Sequence, residues 1–157
     1  MPTDVSSDAP ADRYDRALRA FSRARHHNAR LLDAVAGRWS VAASDIRALG
    51  FIAERGTPTP RELADHLGVT TGAVTSMLDR IERAGLANRT PHSSDRRSIR
   101  LELTDRGREA VDDASAHYRR VFAAAIDGPD LPRVTEAFAR LAAGLSAEAD
   151  AVSGREI

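Results

Sequence analysis

Cysteine and lysine are both absent from this 157-residue chain. Without thiols there are no disulfides, no thiolate zinc sites and no cysteine-based redox sensing. Long apolar runs are missing too: none approaches the roughly 18 residues needed to cross a bilayer. The opening MPTDVSSDAPADRY lacks the charged-then-apolar order of a signal peptide, so the expected location is cytoplasmic. There is no Gly-rich phosphate loop, nucleophile elbow, HExxH pair or spaced carboxylate–histidine cluster. Neither an enzyme, nor a metal site, nor a cofactor is therefore expected. The adjacent His26 and His27 do not alter this, because neighbouring side chains on a helix diverge by about 100°. Absence of lysine has two readings: genomic codon bias, and the suitability of arginine forks for phosphates and guanine edges. The composition does not choose between them.

What is present is a chain with 42% apolar residues, enough for a core and too many for a disordered polymer. Its formal net charge is zero, yet the charge is unevenly placed. From Arg80 to Arg100 six arginines stand against Glu82 and Asp95, a local net of +4. From Asp127 to Ile157 six acids stand against three arginines, a net of −3. A neutral protein with one basic segment suits an anionic partner that meets only that segment.

Residues 1–11 are small, polar and proline-containing and read as a disordered tail. Tyr14, Leu18, Phe21, Leu32 and Val35 give a long amphipathic helix over 12–38. A second helix starts at Ser40 or Ala42, carries Ile46, Leu49 and Ile52, and ends before Gly56. Thr59 is an N-cap, Pro60 fits the first helical position and Glu62 completes a capping box, so PRELADHL is a short third helix stopped by Gly68. Thr70 caps a fourth helix with the apolar stripe Val74, Met77, Leu78 and Ile81, ended by Gly85. Two helices joined by a short glycine-containing turn are a helix-turn-helix. A strand over 87–90 and a second one with Ile99, Leu101 and Leu103 facing inward form a hairpin around the polar loop from Pro91 to Arg97. Thr104 caps a fifth helix, Gly128-Pro129 breaks it, and a last helix carries Leu131, Val134, Phe138, Leu141, Leu145 and Val152 at seam-like spacing. The expected class is mainly α with a small β-hairpin wing. The winged helix-turn-helix occupies 39–104, and 12–38 with 105–157 form a helical dimerisation region.

The fourth helix carries the chemistry. With its apolar stripe facing the core, it presents Thr70, Thr71, Gly72, Thr75 and Ser76, followed by Arg80. Small uncharged side chains of this kind fit a groove about 12 Å wide, where hydroxyls reach phosphates or base edges. An ordinary solvated face would more often carry Glu, Lys or Gln, because Thr and Ser are poor interior helix formers. Asp95, Arg96 and Arg97 sit at the hairpin tip, where arginines can enter a narrow minor groove and Asp95 can hold one fork. Alone, that loop would read equally well as a solvated turn with a surface ion pair.

The strings TPRELADHLGVTTGAVTSMLDRIERAGL, the Asp95-Arg96-Arg97 triplet and LELTDRG closely resemble the MarR family of winged-helix regulators. The resemblance implies a homodimer with interlocked terminal helices, binding double-stranded DNA at pseudo-palindromic sites, usually as a repressor. It places the Thr70–Ser76 face in the major groove and Arg97 foremost in the minor groove. It also implies a small aromatic or phenolic effector, for which His27, Asn28, Trp39, Arg47 and Phe51 are the candidates. The alternative is that Trp39 and Phe51 are core and the histidines solvated. Two departures from the family pattern stand out. Ala42 occupies the usual Ser/Thr cap of the second helix, so Ser40 is expected to take over. Pro58 falls where a third strand needs a donor. A winged module that binds only proteins would instead show apolar or acidic residues on these surfaces.

Overall fold

The structure, a computed structural model, describes residues 10–91 and 99–154. Their order is α1 (Pro10–Arg38), α2 (Ala43–Arg55), α3 (Pro60–Leu67), α4 (Thr71–Arg83), β1 (Ala87–Pro91), β2 (Ile99–Leu103), α5 (Asp105–Ala125), a single 3-10 turn (Gly128–Asp130) and α6 (Leu131–Val152). The chain is thus mainly helical with an antiparallel two-stranded wing. Helix α1 begins at Pro10, so the last two residues of the expected tail are helical instead. The chain divides into two units, one up to Ala114 and one from Ser115, with the boundary inside α5.

In the first unit the core is built from the apolar stripes of short helices. Leu49 and Ile52 of α2, Leu63 of α3, Val74, Leu78 and Ile81 of α4, Leu86 and Leu101 are all fully buried. Each such side chain contributes about 1.5–3 kcal/mol of transfer free energy. Local chemistry sets the helix ends. Thr59 Oγ1 accepts from Glu62 N at 3.2 Å, and Glu62 Oε2 accepts from Thr59 N at 2.7 Å. The Thr59 backbone bond, then its hydroxyl, hold the Glu62 carboxyl below its usual range. Gly68 stops α3 in the left-handed region, with φ of 65°. Thr104 Oγ1 accepts from Gly107 N at 3.0 Å and donates to Gly85 O at 2.7 Å, joining the start of α5 to the end of α4.

Two sequence expectations change here. Ser40 does not cap α2. It lies in a turn with φ of 57°, and Ala42 is the N-cap, its N–H satisfied by Asp45 Oδ2 at 2.9 Å. Ile99 does not point inward: it is 45% exposed at the outer end of the hairpin, opposite Pro91, while Leu101 is buried and Leu103 half-buried. The alternation fails at the position farthest from the helices, where there is no core to face. Pro58 reduces the third strand to one hydrogen bond, because its carbonyl accepts from Leu101 N at 2.9 Å although the ring nitrogen cannot donate.

In the second unit, Phe122 and Phe138 meet edge to face with centroids 6.1 Å apart. Helix α6 has no buried residue, and Leu131, Phe138, Leu141, Leu145 and Val152 are exposed.

Candidate nucleic-acid interface

Helix α4 has two faces. Val74, Met77, Leu78 and Ile81 are buried, whereas Thr70, Thr71, Gly72, Thr75 and Ser76 are exposed. Thr70 Oγ1 accepts from Ala73 N at 3.2 Å and so starts the helix. Thr75 Oγ1 donates to Thr71 O at 3.0 Å and Ser76 Oγ to Gly72 O at 3.3 Å. These back-bonds hold both hydroxyls close to the helix surface and keep the exposed face narrow.

Two arginines fix this helix, Arg80 of α4 itself and Arg89 from β1. Asp45, on α2, is wholly buried, and Arg80 meets it with its fork: Nη2 donates to Oδ1 at 2.7 Å and Nε to Oδ2 at 3.2 Å. Arg80 Nη1 reaches Ser76 O at 3.4 Å. Hydrogen bonding to Asp45 raises the Arg80 pKa above its ordinary value. Arg89 donates from Nη1 to Asp79 Oδ1 at 2.9 Å and to Glu82 Oε2, and from Nη2 to Thr75 O at 3.1 Å. Its backbone N–H donates to Glu82 Oε1 at 2.9 Å. Of the charged residues in these contacts, sequence reasoning singled out only Arg80 as a site residue. A signal for Asp45 was present: with Leu49 and Ile52 at i+4 and i+7, it lies on the apolar stripe of α2, where a charge requires a partner. Arg89 gives no such signal.

Asp95, Arg96 and Arg97 lie outside the described residues. The effector candidates are not gathered into one cavity. Trp39 is half-buried. Its Nε1 donates to Asp113 Oδ2 at 3.1 Å, the Arg106 guanidinium stands 5.9 Å from its ring centre, and Arg38 pairs with Asp113 at 3.3 Å. With Ser40, Arg80, Arg83, Ala84 and Arg106 it lines a cavity of about 390 Å³. Phe51 is buried and stacks on His66, centroids 4.1 Å apart, beside a different cavity bordered by Glu54, Arg55, Glu62 and Asp65. His27, Asn28 and Arg47 are exposed and line neither, and the His27 ring stands edge-on to His26 at 5.3 Å. Among the described residues, no group of three acidic or histidine side chains could hold a metal ion, and no helix is long and apolar enough to cross a membrane.

The MarR family model matches residues 40–98, the stretch that holds α2, α3, α4 and β1. Over this segment the chain is similar to the MarR family. The HTH-type transcriptional regulator PecS of Dickeya dadantii is 36% identical to it over 81 residues, which is 50% of this chain and 49% of PecS. The chain thus spans about half the length of the curated relatives it matches. Solved MarR structures extend the likeness of fold further. A mutant of MarR from E. coli, complexed with operator DNA, superposes with a TM-score of 0.61 at 20% identity, covering 85% of this chain and 98% of that one. A MarR transcriptional regulator from Methanosarcina mazei Go1 gives 0.68 at 15% identity, covering 84% and 98%. At these identities the likeness establishes the MarR fold.

Proposed function

We propose that this chain is a transcription regulator that binds duplex DNA as a homodimer. The Thr70–Ser76 face enters the major groove, and Asp95, Arg96 and Arg97 reach the adjacent minor groove. The observation that carries the reading is the narrow, uncharged, exposed face at the start of α4, backed by an apolar stripe and fixed by Arg80 and Arg89. The operator complex of MarR, a protein of the same fold, supports it. The dimer is supported by α6, whose exposed leucines and Phe138 would leave a large apolar surface in water on a monomer. The test is selection of duplexes from a random pool by the full chain. The expected product is a two-fold symmetric motif with half-sites about 34 Å apart, one helical turn. No enrichment would reject DNA binding, and an asymmetric motif would reject the symmetric dimer.

The protein is further proposed to be a ligand-responsive repressor whose effector is an aromatic anion. The Trp39 cavity favours this, because among the described residues no acid pairs with Arg83 or Arg106 at its edge. Trp39 is the single tryptophan, so its fluorescence reports on this cavity alone. Titration with a hydroxybenzoate is expected to quench it, and Arg106→Ala to weaken the response severalfold. An unchanged spectrum up to millimolar ligand would reject the site.

A further inference from the structure

We infer that Arg80 is a positioning residue that aims the recognition helix through Asp45, and that its guanidinium is not a DNA contact. This rests on the DNA-binding reading above. The first ground is the state of Asp45. It is wholly enclosed and accepts three hydrogen bonds, from Ala42 N, Arg80 Nε and Arg80 Nη2. A carboxylate in that setting needs a cation held in a fixed place, because it has no water to fall back on. Turning Arg80 outward to a phosphate would strip Asp45 of two of its three donors.

The second ground is geometry. A bidentate fork constrains direction as well as distance. It locks the rotation of α4 about its own axis against α2. The third ground is where the two arginines grip. Arg80 Nη1 lies on the carbonyl of Ser76, and Arg89 Nη2 on the carbonyl of Thr75. These adjacent peptide units bear two of the side chains on the exposed face. One is held by an arginine tied to α2, the other by an arginine that also binds Asp79 and Glu82. Together they index which side chains α4 presents. Such a device acts mainly on discrimination between sequences, which depends on base-edge geometry, and less on phosphate attraction, which tolerates small rotations.

The test uses the full chain, a duplex recovered by selection and a random-sequence duplex of equal length. Arg80→Lys keeps the charge and loses the fork; Asp45→Asn keeps the shape and loses the charge. Each is expected to reduce the ratio of selected to random affinity at least tenfold. The slope of log K against log salt should stay unchanged, and the double variant should be no worse than the poorer single one. A phosphate contact predicts the opposite. Arg80→Lys would then keep the ratio, Asp45→Asn would bind as well as the parent or better, and Arg80→Ala would lower the salt slope by about one. Any of these results overturns the inference. Amide exchange along α4, measured without DNA, separates failure of the positioning role from failure of the DNA-binding reading. Asp45→Asn should speed exchange from Thr75 to Ile81 while β1 and β2 stay protected. No change in α4, or equal loss of protection throughout, rejects the clamp even if no duplex is ever bound.

Discussion

Replacing Gly107 with alanine is expected to destabilise the fold by about 3 kcal/mol, at the upper end of ordinary overpacking. A Cβ at this position would lie 1.8 Å from Leu86 O and 2.9 Å from Leu86 C. Both are backbone atoms, so no side-chain rotation relieves the clash. The same carbonyl accepts from Thr104 N at 3.1 Å, and Leu86 is fully buried, which leaves that peptide little freedom to retreat. The strain falls where α5 leaves the wing, at the joint made by Thr104, Gly85 and Gly107. Urea unfolding measures it through the midpoint. Gly50→Ala serves as the control: it is interior to α2 and a Cβ there meets nothing within 4 Å, so it should stabilise by up to about 1 kcal/mol. Equal midpoints for the two variants would show that α5 shifts freely away from Leu86.

Leu63→Ala should lower stability by about 3 kcal/mol, the usual range for an emptied leucine site being 2–5. Helix α3 has eight residues, too few to persist by itself in water. It is held chiefly by Leu63 and Ala64, both buried, with Leu67 packed partly against the same core. Removing the leucine opens a void beneath the helix that supports α4. The melting temperature should fall by about 10 °C for a chain of this size, and affinity for a selected duplex should fall with it. A shift below about 2 °C would mean that the surrounding side chains close the gap.

Most of the architecture was readable because punctuation and period agreed. Thr59, Pro60, Glu62 and Gly68 bracket α3 as expected, and the stripe Val74, Met77, Leu78 and Ile81 is the buried side of α4. Ile99 was misread because alternation reports the side of a strand, and cannot say where along the strand the core ends. Ser40 was misread because capping statistics favour hydroxyls, whereas here an acid three residues into the helix satisfies the N–H of Ala42. The exposed hydroxyl face of α4 followed from helical period alone. The clamps did not, because Arg80 meets Asp45 across 35 positions and Arg89 meets Thr75 across 14. Such pairings depend on the packing angles between elements, which local patterns do not encode. The scattered positions of Trp39, Phe51, His27, Asn28 and Arg47 illustrate the same limit, since candidates taken from α1 and from around α2 do not meet in one cavity.

The long reach of Arg80 bears on how a reading surface of this kind could be borrowed. A graft cut at Thr57 would carry α3, α4 and the hairpin strands into a chimera, yet leave behind the carboxylate that steers them and the α2 side chains Leu49 and Ile52. On the DNA-binding reading and the positioning role proposed above, such a chimera would inherit the exposed residues of α4 and lose their aim. The smallest portable cassette therefore begins no later than Ala42, and exchange of specificity between two such proteins is expected to succeed only when α2 travels with α4.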